Sequence, residues 1–217
     1  MTPAALKPHP LGDSAITISF GDERSTQLLR RIHAAARAIR QAGISSVQDV
    51  VPAYLAVTVF YDPLATSYEE MARLLLDKCN PTPPENVGQH PREHVIPVRY
   101  DGMDLTSVAE ATGLAVDDIV ALHSGRAYTV DILGFVPGFA YLSELDPALH
   151  LPRRPKPRPR VAAGSVAIAA AQTGVYPLDT PGGWHIIGTT TAAMFDPQRD
   201  PAALLAAGDV VRFEPLE

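Results

Sequence analysis

Gly134-Phe135-Val136-Pro137-Gly138-Phe139-Ala140-Tyr141-Leu142 opens the stretch on which the fold turns. The run Pro152-Arg153-Arg154-Pro155-Lys156-Pro157-Arg158-Pro159-Arg160 follows it. Ala163-Gly164-Ser165-Val166-Ala167-Ile168-Ala169 and Tyr176-Pro177 come next, leading to Pro181-Gly182-Gly183-Trp184. Glycine admits dihedrals that other residues resist, and proline fixes φ while removing a donor. A plain core strand needs neither, so these segments read as turns and cleft walls set between short strands. The strands they separate are Tyr128 to Leu133, Gly164 to Ala170, His185 to Thr190 and Asp209 to Glu214. Short strands at this spacing predict a barrel or a sandwich.

Working outward, His94 to Tyr100 reads as a strand, Asp104 as the cap of a short helix ending at Gly113, and Ala115 to His123 as a second helix. The first half has a different rhythm. Ser14 to Phe20 alternates apolar and polar residues, and a helix from about Glu23 to Gln41 places Leu28, Ile32, Ala35 and Ile39 on one face. Strands are expected at Val47 to Pro52 and Leu55 to Tyr61, then a helix opened by a Ser67/Glu70 capping box and running to about Lys78. The order β-α-β-β-α, with His94 to Tyr100 available as a last strand, matches a ferredoxin-like domain. The polar, proline-rich segment from Asn80 to Arg92 marks the boundary, giving an α+β chain with domains at 1–88 and 89–217.

The net charge of −6 argues against a general nucleic-acid or anionic-membrane binder, which needs a positive surface. A single cysteine, Cys79, excludes an internal disulfide framework and a multi-cysteine zinc site, and its place at a helix end reads as a small buried hydrophobe. Met1 to Pro10 lacks the apolar core of a signal peptide, and no apolar run reaches the ~20 residues that span a bilayer. A cytoplasmic location is the expectation.

Five of the chain's 18 lysines and arginines fall within the nine residues 152–160. Arginine's planar fork suits carboxylate or phosphate, and the prolines keep the run extended. Arg153 and Arg160 are the chosen anion contacts; a solvated surface loop is the alternative for each. Gly182 and Gly183 form a turn whose backbone donors can cradle an oxyanion, or a tight bend anchored by Trp184, the one tryptophan. His123, at a helix end, is either a cap or a titrating group. Ser165, His185 and Asp179 supply the inventory of a triad, but Ala163-Gly164-Ser165-Val166-Ala167 is not the Gly-x-Ser-x-Gly elbow. Neither a P-loop nor a Gly-x-Gly-x-x-Gly fingerprint is present, and the histidines lack metal-ligand spacing.

Taken in order, Gly12-Asp13-Ser14-Ala15, His123-Ser124 with Tyr128, the 134–142 segment, Gly164 to Ala169, Gln172-Thr173-Gly174-Val175-Tyr176-Pro177, Pro181 to Trp184, Ile187-Gly188 and Phe195-Asp196 resemble the KipI / allophanate hydrolase subunit 1 family. The resemblance covers nearly the whole chain. It departs at Ala163, where the family usually has proline, and at Thr189, where it usually has arginine. It implies a ferredoxin-like N-terminal domain and a cyclophilin-like β-barrel C-terminal domain.

The resemblance also implies an activity, that of the B subunit of an ATP-dependent 5-oxoprolinase. Such a protein acts with a homologous C subunit and with an A subunit to convert 5-oxo-L-proline to L-glutamate, using ATP with Mg2+ bound here or by a partner. The family's alternatives are a KipI-like inhibitor of a sensor histidine kinase and a component of allophanate hydrolase. A lactam is a poor electrophile, and phosphorylating its oxygen would ready it for hydrolysis, which calls for cations at phosphate and donors at the oxyanion. Arg153 and Arg160 are expected in the first role, the Gly182-Gly183 turn in the second, Phe139 and Trp184 as cleft walls, and His123 as proton carrier.

Overall fold

The computed structural model describes residues 6–79 and 91–216. Most of the segment read as the domain boundary, residues 80–90, lies outside them. The chain divides into two compact units, Met1–Gln89 and His90–Glu217.

In the first unit β1 (Lys7–Pro10) and β2 (Ala15–Ser19) precede α1 (Thr26–Gln41), followed by β3 (Val47–Pro52), β4 (Ala56–Tyr61) and α2 (Tyr68–Cys79). The Ser25 hydroxyl caps α1 by accepting from the Leu28 N–H at 3.1 Å. Leu28, Ile32, Ala35 and Ile39 are buried, as their spacing requires. At α2 the capping box forms: the Glu70 N–H donates to Ser67 Oγ at 3.2 Å, and the Ser67 N–H to Glu70 Oε2 at 3.4 Å. Cys79 closes the helix in the core, and burial pushes its thiol up to about 12. It is a packing residue.

The sheet runs β1-β2-β4-β3, every pair antiparallel. The strand expected to complete it does not: β5 (Glu93–Val98) pairs in parallel with β13 (Val210–Pro215) in the second unit. Lys7–Pro10 takes the outer place beside β2 instead, a strand hidden in the sequence by its two prolines. At the opposite edge, the Val50 N–H is capped by Asp49 Oδ1 at 2.7 Å and its carbonyl by Arg40. Capped edges resist pairing with other chains.

The second unit continues from β5 with α3 (Leu105–Thr112), α4 (Val116–Ser124), β6 (Ala127–Leu133), β7 (Ala140–Ser143), β8 (Arg158–Val161), β9 (Ser165–Ala169), β10 (Gln172–Val175), β11 (Thr180–Gly182) and β12 (His185–Thr189). Seven strands form one sheet in the order β12-β9-β10-β7-β6-β13-β5. Its two edges meet where Arg99 and Thr189 exchange backbone hydrogen bonds of 2.9 and 2.8 Å, so the sheet curls into a nearly closed barrel. β8 and β11 form a separate two-stranded ribbon.

Side chains alternate across this sheet. In β9, Val166 and Ile168 join the larger cluster with Leu105, Val108 and Ile119 of α3 and α4. Ala167 and Ala169 face the other way, into a smaller cluster with Phe139, Val161, Tyr176, Trp184 and Ile186. The ribbon covers that second face through Val161.

Candidate functional site

The smaller cluster is mostly aromatic. Phe139 packs edge-on against Trp184, Tyr176 and Tyr141, with ring centroids 5.5, 5.4 and 4.9 Å away. Small residues make room for it. A Cβ on Gly174 would lie 3.2 Å from Phe139 Cζ and 3.5 Å from Trp184 Cζ3. A Cβ on Gly182 would lie 2.3 Å from the Tyr176 hydroxyl. Glycine at 182, the last residue of β11, therefore answers a close approach, and Gly183 with Trp184 links β11 to β12; the φ of neither glycine lies in the left-handed region. Gly183 serves through its carbonyl, which accepts from the Arg154 N–H at 2.8 Å.

The approach from Gly134 is strained. The Val136 N–H bonds to Gly134 O at 3.0 Å around Phe135, whose φ is +72°, a tight γ-turn that side chains disfavour. The Phe135 ring is 59% exposed and leans edge-on against Phe139 at 5.7 Å.

The basic run borders the aromatic cluster, and Asp104 organises it. Its position before α3 predicts a helix cap, yet its side chain makes no capping bond. Its carboxylate is 3% exposed and receives Arg158 Nη1 at 2.9 Å and Nη2 at 2.6 Å, Arg154 Nη1 at 2.9 Å, and the Ile186 N–H at 2.8 Å. Burial works to raise its pKa, but the Arg158 and Ile186 hydrogen bonds and the charges of Arg158 and Arg154 outweigh it and hold the carboxyl below its ordinary value. Partners fifty residues away carry no local signal, so the sequence could not show this pairing.

The expected site residues separate into groups. Phe139, Trp184, Gly182, Gly183 and Arg153 come together: Arg153 is exposed, and its charge acts on Tyr176. Among the described residues neither Arg153 nor Lys156 makes an ion pair. Arg160, 78% exposed in its side chain, is engaged by Asp179, with Nε to Oδ2 at 2.9 Å. That pairing, with the Ala163 N–H on Asp179 Oδ1, also dissolves the written triad. His185 is committed elsewhere, its Nε2–H donating to Pro152 O at 2.9 Å.

His123 stands apart. Thr173 and Gly174 are consecutive in β10 and face opposite ways, so His123, bonded to Thr173, lies across the sheet from Phe139 and Trp184. It is wholly buried and stacked on Phe213 at 4.5 Å. Its Nδ1 meets the Tyr100 hydroxyl at 2.7 Å and its Nε2 meets Thr173 Oγ1 at 2.8 Å. Thr173 gives its only proton to Ala167 O at 3.1 Å, so Nε2–H must donate and Nδ1 accepts from Tyr100. Burial drives the imidazole pKa down to about 3. A sealed, neutral ring with both nitrogens engaged braces the barrel; the expected route for protons to solvent is missing.

The sequence matches the family described as carboxyltransferase domain, subdomain C and D, over residues 6–205. The chain belongs to that family. Its carboxyltransferase C–D relatives include the B subunit of 5-oxoprolinase from Bacillus subtilis, 38% identical over 94% of this chain and 90% of that protein. The protein of the same name from Escherichia coli O157:H7 is 39% identical over 94% of each. The crystal structure of TTHA0988 superposes with a TM-score of 0.84 at 44% identity, over 94% of this chain but 40% of that one. The chain thus spans about 40% of the length of that solved relative.

Within this carboxyltransferase-type unit, Thr189 is not idle: its hydroxyl donates to Asp101 Oδ1 at 2.8 Å, beside the Arg99 bridge that closes the barrel. Among the described residues, Arg154 Nε and His185 Nδ1 are the buried side-chain polar atoms with no hydrogen-bond partner. Both lie in the seam where residues 152–154 rest on 183–186. No group of three or more His, Cys, Asp or Glu side chains placed to hold a metal occurs among the described residues.

Proposed function

We propose that this chain is the B subunit of a cytoplasmic, ATP-dependent 5-oxoprolinase, working with a homologous C subunit and with an A subunit to turn 5-oxo-L-proline into L-glutamate. The observation that carries the reading is identity of 38–39% with proteins named as the B subunit of 5-oxoprolinase, over at least 90% of both partners in each comparison. Neither a kinase-inhibitor nor an allophanate reading has comparable support. The same reading takes the first unit as ferredoxin-like and the second as a cyclophilin-like barrel, divided at 88/89.

The site chemistry fits an oxyanion guest. Among the described residues Arg153 and Lys156 are cations without ion-pair partners, and Arg154 Nε–H is a buried donor lacking an acceptor. An oxyanion supplies the missing acceptor. In this reading Arg153 contacts the guest directly, while Arg160 fixes the ribbon through Asp179. Phe139 and Trp184 form the wall, Gly182 and Gly183 let the ribbon lie close to it, and His123 holds the barrel from the opposite face. The ATP phosphates or the substrate carboxylate would provide the negative charge, with Mg2+ held by ATP and a partner.

The test is reconstitution. The purified chain is assayed for 5-oxoproline-dependent ATP hydrolysis alone, with the C subunit, and with the C and A subunits together. Turnover is expected with the full set; its absence there overturns the proposal.

A further inference from the structure

Two arginines share one buried carboxylate, an arrangement that charge alone does not favour. Burying ions costs free energy that is recovered only with near-ideal geometry. The geometry here is of that kind: Asp104 grips Arg158 through both Nη atoms at 2.6 and 2.9 Å and Arg154 through one at 2.9 Å. The Ile186 N–H fixes the carboxylate from a third side at 2.8 Å. Arg158 thereby has both terminal nitrogens occupied, whereas Arg154 keeps Nη2 and the orphaned Nε–H for another acceptor.

Charge follows the same division. Two guanidiniums against one carboxylate leave one positive charge, to which Arg153 and Lys156 each add another. Without Asp104 the guanidiniums of Arg154 and Arg158 would repel each other and swing toward water. The loop 152–158 would lose the tie to β12 that runs through Asp104, because the same carboxylate binds the Ile186 N–H, and would keep the His185 bond to Pro152 O.

We propose that Asp104 is a positioning residue for an oxyanion site formed by Arg153, the free edge of Arg154 and Lys156: it aims the arginines by neutralising one guanidinium's worth of charge between them. The inference rests on the oxyanion reading given above and adds the residue that shapes the site. It makes a prediction opposite to simple electrostatics. Asp104→Asn keeps the side chain's shape yet raises the local charge by one, so a site that works by charge alone would bind anions more tightly. A site that works by aim would bind them more weakly.

The experiment is calorimetric titration of the full chain at low salt with inorganic phosphate and, in parallel, acetate, which tells a phosphoryl from a carboxylate guest. Each variant is measured well below its own unfolding midpoint. Asp104→Asn is expected to weaken binding of the preferred anion about tenfold, the scale of one charge-assisted hydrogen bond. Arg158→Lys, which keeps the charge but loses the two-pronged grip, is expected to do the same. Asp104→Glu restores charge and reach and should recover most of the affinity, a rescue that a merely structural role would not give. Binding by Asp104→Asn that is unchanged or tighter overturns the inference and leaves the anion site standing. Failure of the wild-type chain to bind either anion overturns the site itself.

Discussion

His123 couples the stability of the second unit to pH. The unfolded chain takes up a proton at this residue near the ordinary value of 6.5, whereas burial keeps the folded ring neutral down to about 3. Between those values the unfolded state binds one more proton, so stability rises with pH across the window and falls on acidification. The slope is about 1.4 kcal/mol per pH unit, which gives about 2 kcal/mol between pH 7 and pH 5 and roughly 5 kcal/mol over the whole window. The control is His123→Gln, whose amide offers an acceptor to Tyr100 and a donor to Thr173 without titrating. Urea unfolding of both proteins, followed by fluorescence of the buried Trp184, would be measured at pH 7, 6 and 5. The wild-type curve should lose about 2 kcal/mol more than the variant from pH 7 to pH 5. Parallel curves would refute the reasoning and mean that the ring is protonated in the folded state.

Other consequences follow from packing. Gly182→Ala places a methyl group 2.3 Å from the Tyr176 hydroxyl, and it should lower stability by about 1–3 kcal/mol in urea. Phe135→Asn replaces a side chain at positive φ with one that tolerates it, so it should raise stability by about 1 kcal/mol. A loss there would show that the contact with Phe139 outweighs the backbone strain. Asp104→Ala leaves two guanidiniums without their shared carboxylate and should cost about 3–5 kcal/mol, read as a lowered urea midpoint.

Much of this architecture is legible in the residues. The helix faces, the Ser67/Glu70 box and the alternating strands follow from local periodicity, which sequence preserves. The strands at Lys7–Pro10, Arg158–Val161 and Thr180–Gly182 are hidden, because proline and glycine there read as turns. Such residues are tolerated in edge strands and in a two-stranded ribbon, where half the ladder is free. The parallel pairing of Glu93–Val98 with β13 is equally invisible, since the two strands lie more than a hundred residues apart. For the site, the aromatic, glycine and Arg153 group is marked in the sequence as one neighbourhood. The roles of Asp104 and Asp179 are not, because each is defined by arginines distant in sequence. His123 stands out for its chemistry, but its burial depends on Tyr100, Thr173 and Phe213, which no local pattern links to it.

The most direct measurement compares Arg153→Gln with Arg160→Gln in 5-oxoproline-dependent ATP turnover by the chain reconstituted with the proposed C and A subunits. An exposed guanidinium without an ion-pair partner among the described residues should matter more than one already engaged by Asp179. Arg153→Gln is expected to lower kcat/KM by about tenfold or more, and Arg160→Gln to stay within about threefold of wild type. Full activity in Arg153→Gln, or equal losses in both, would contradict the account.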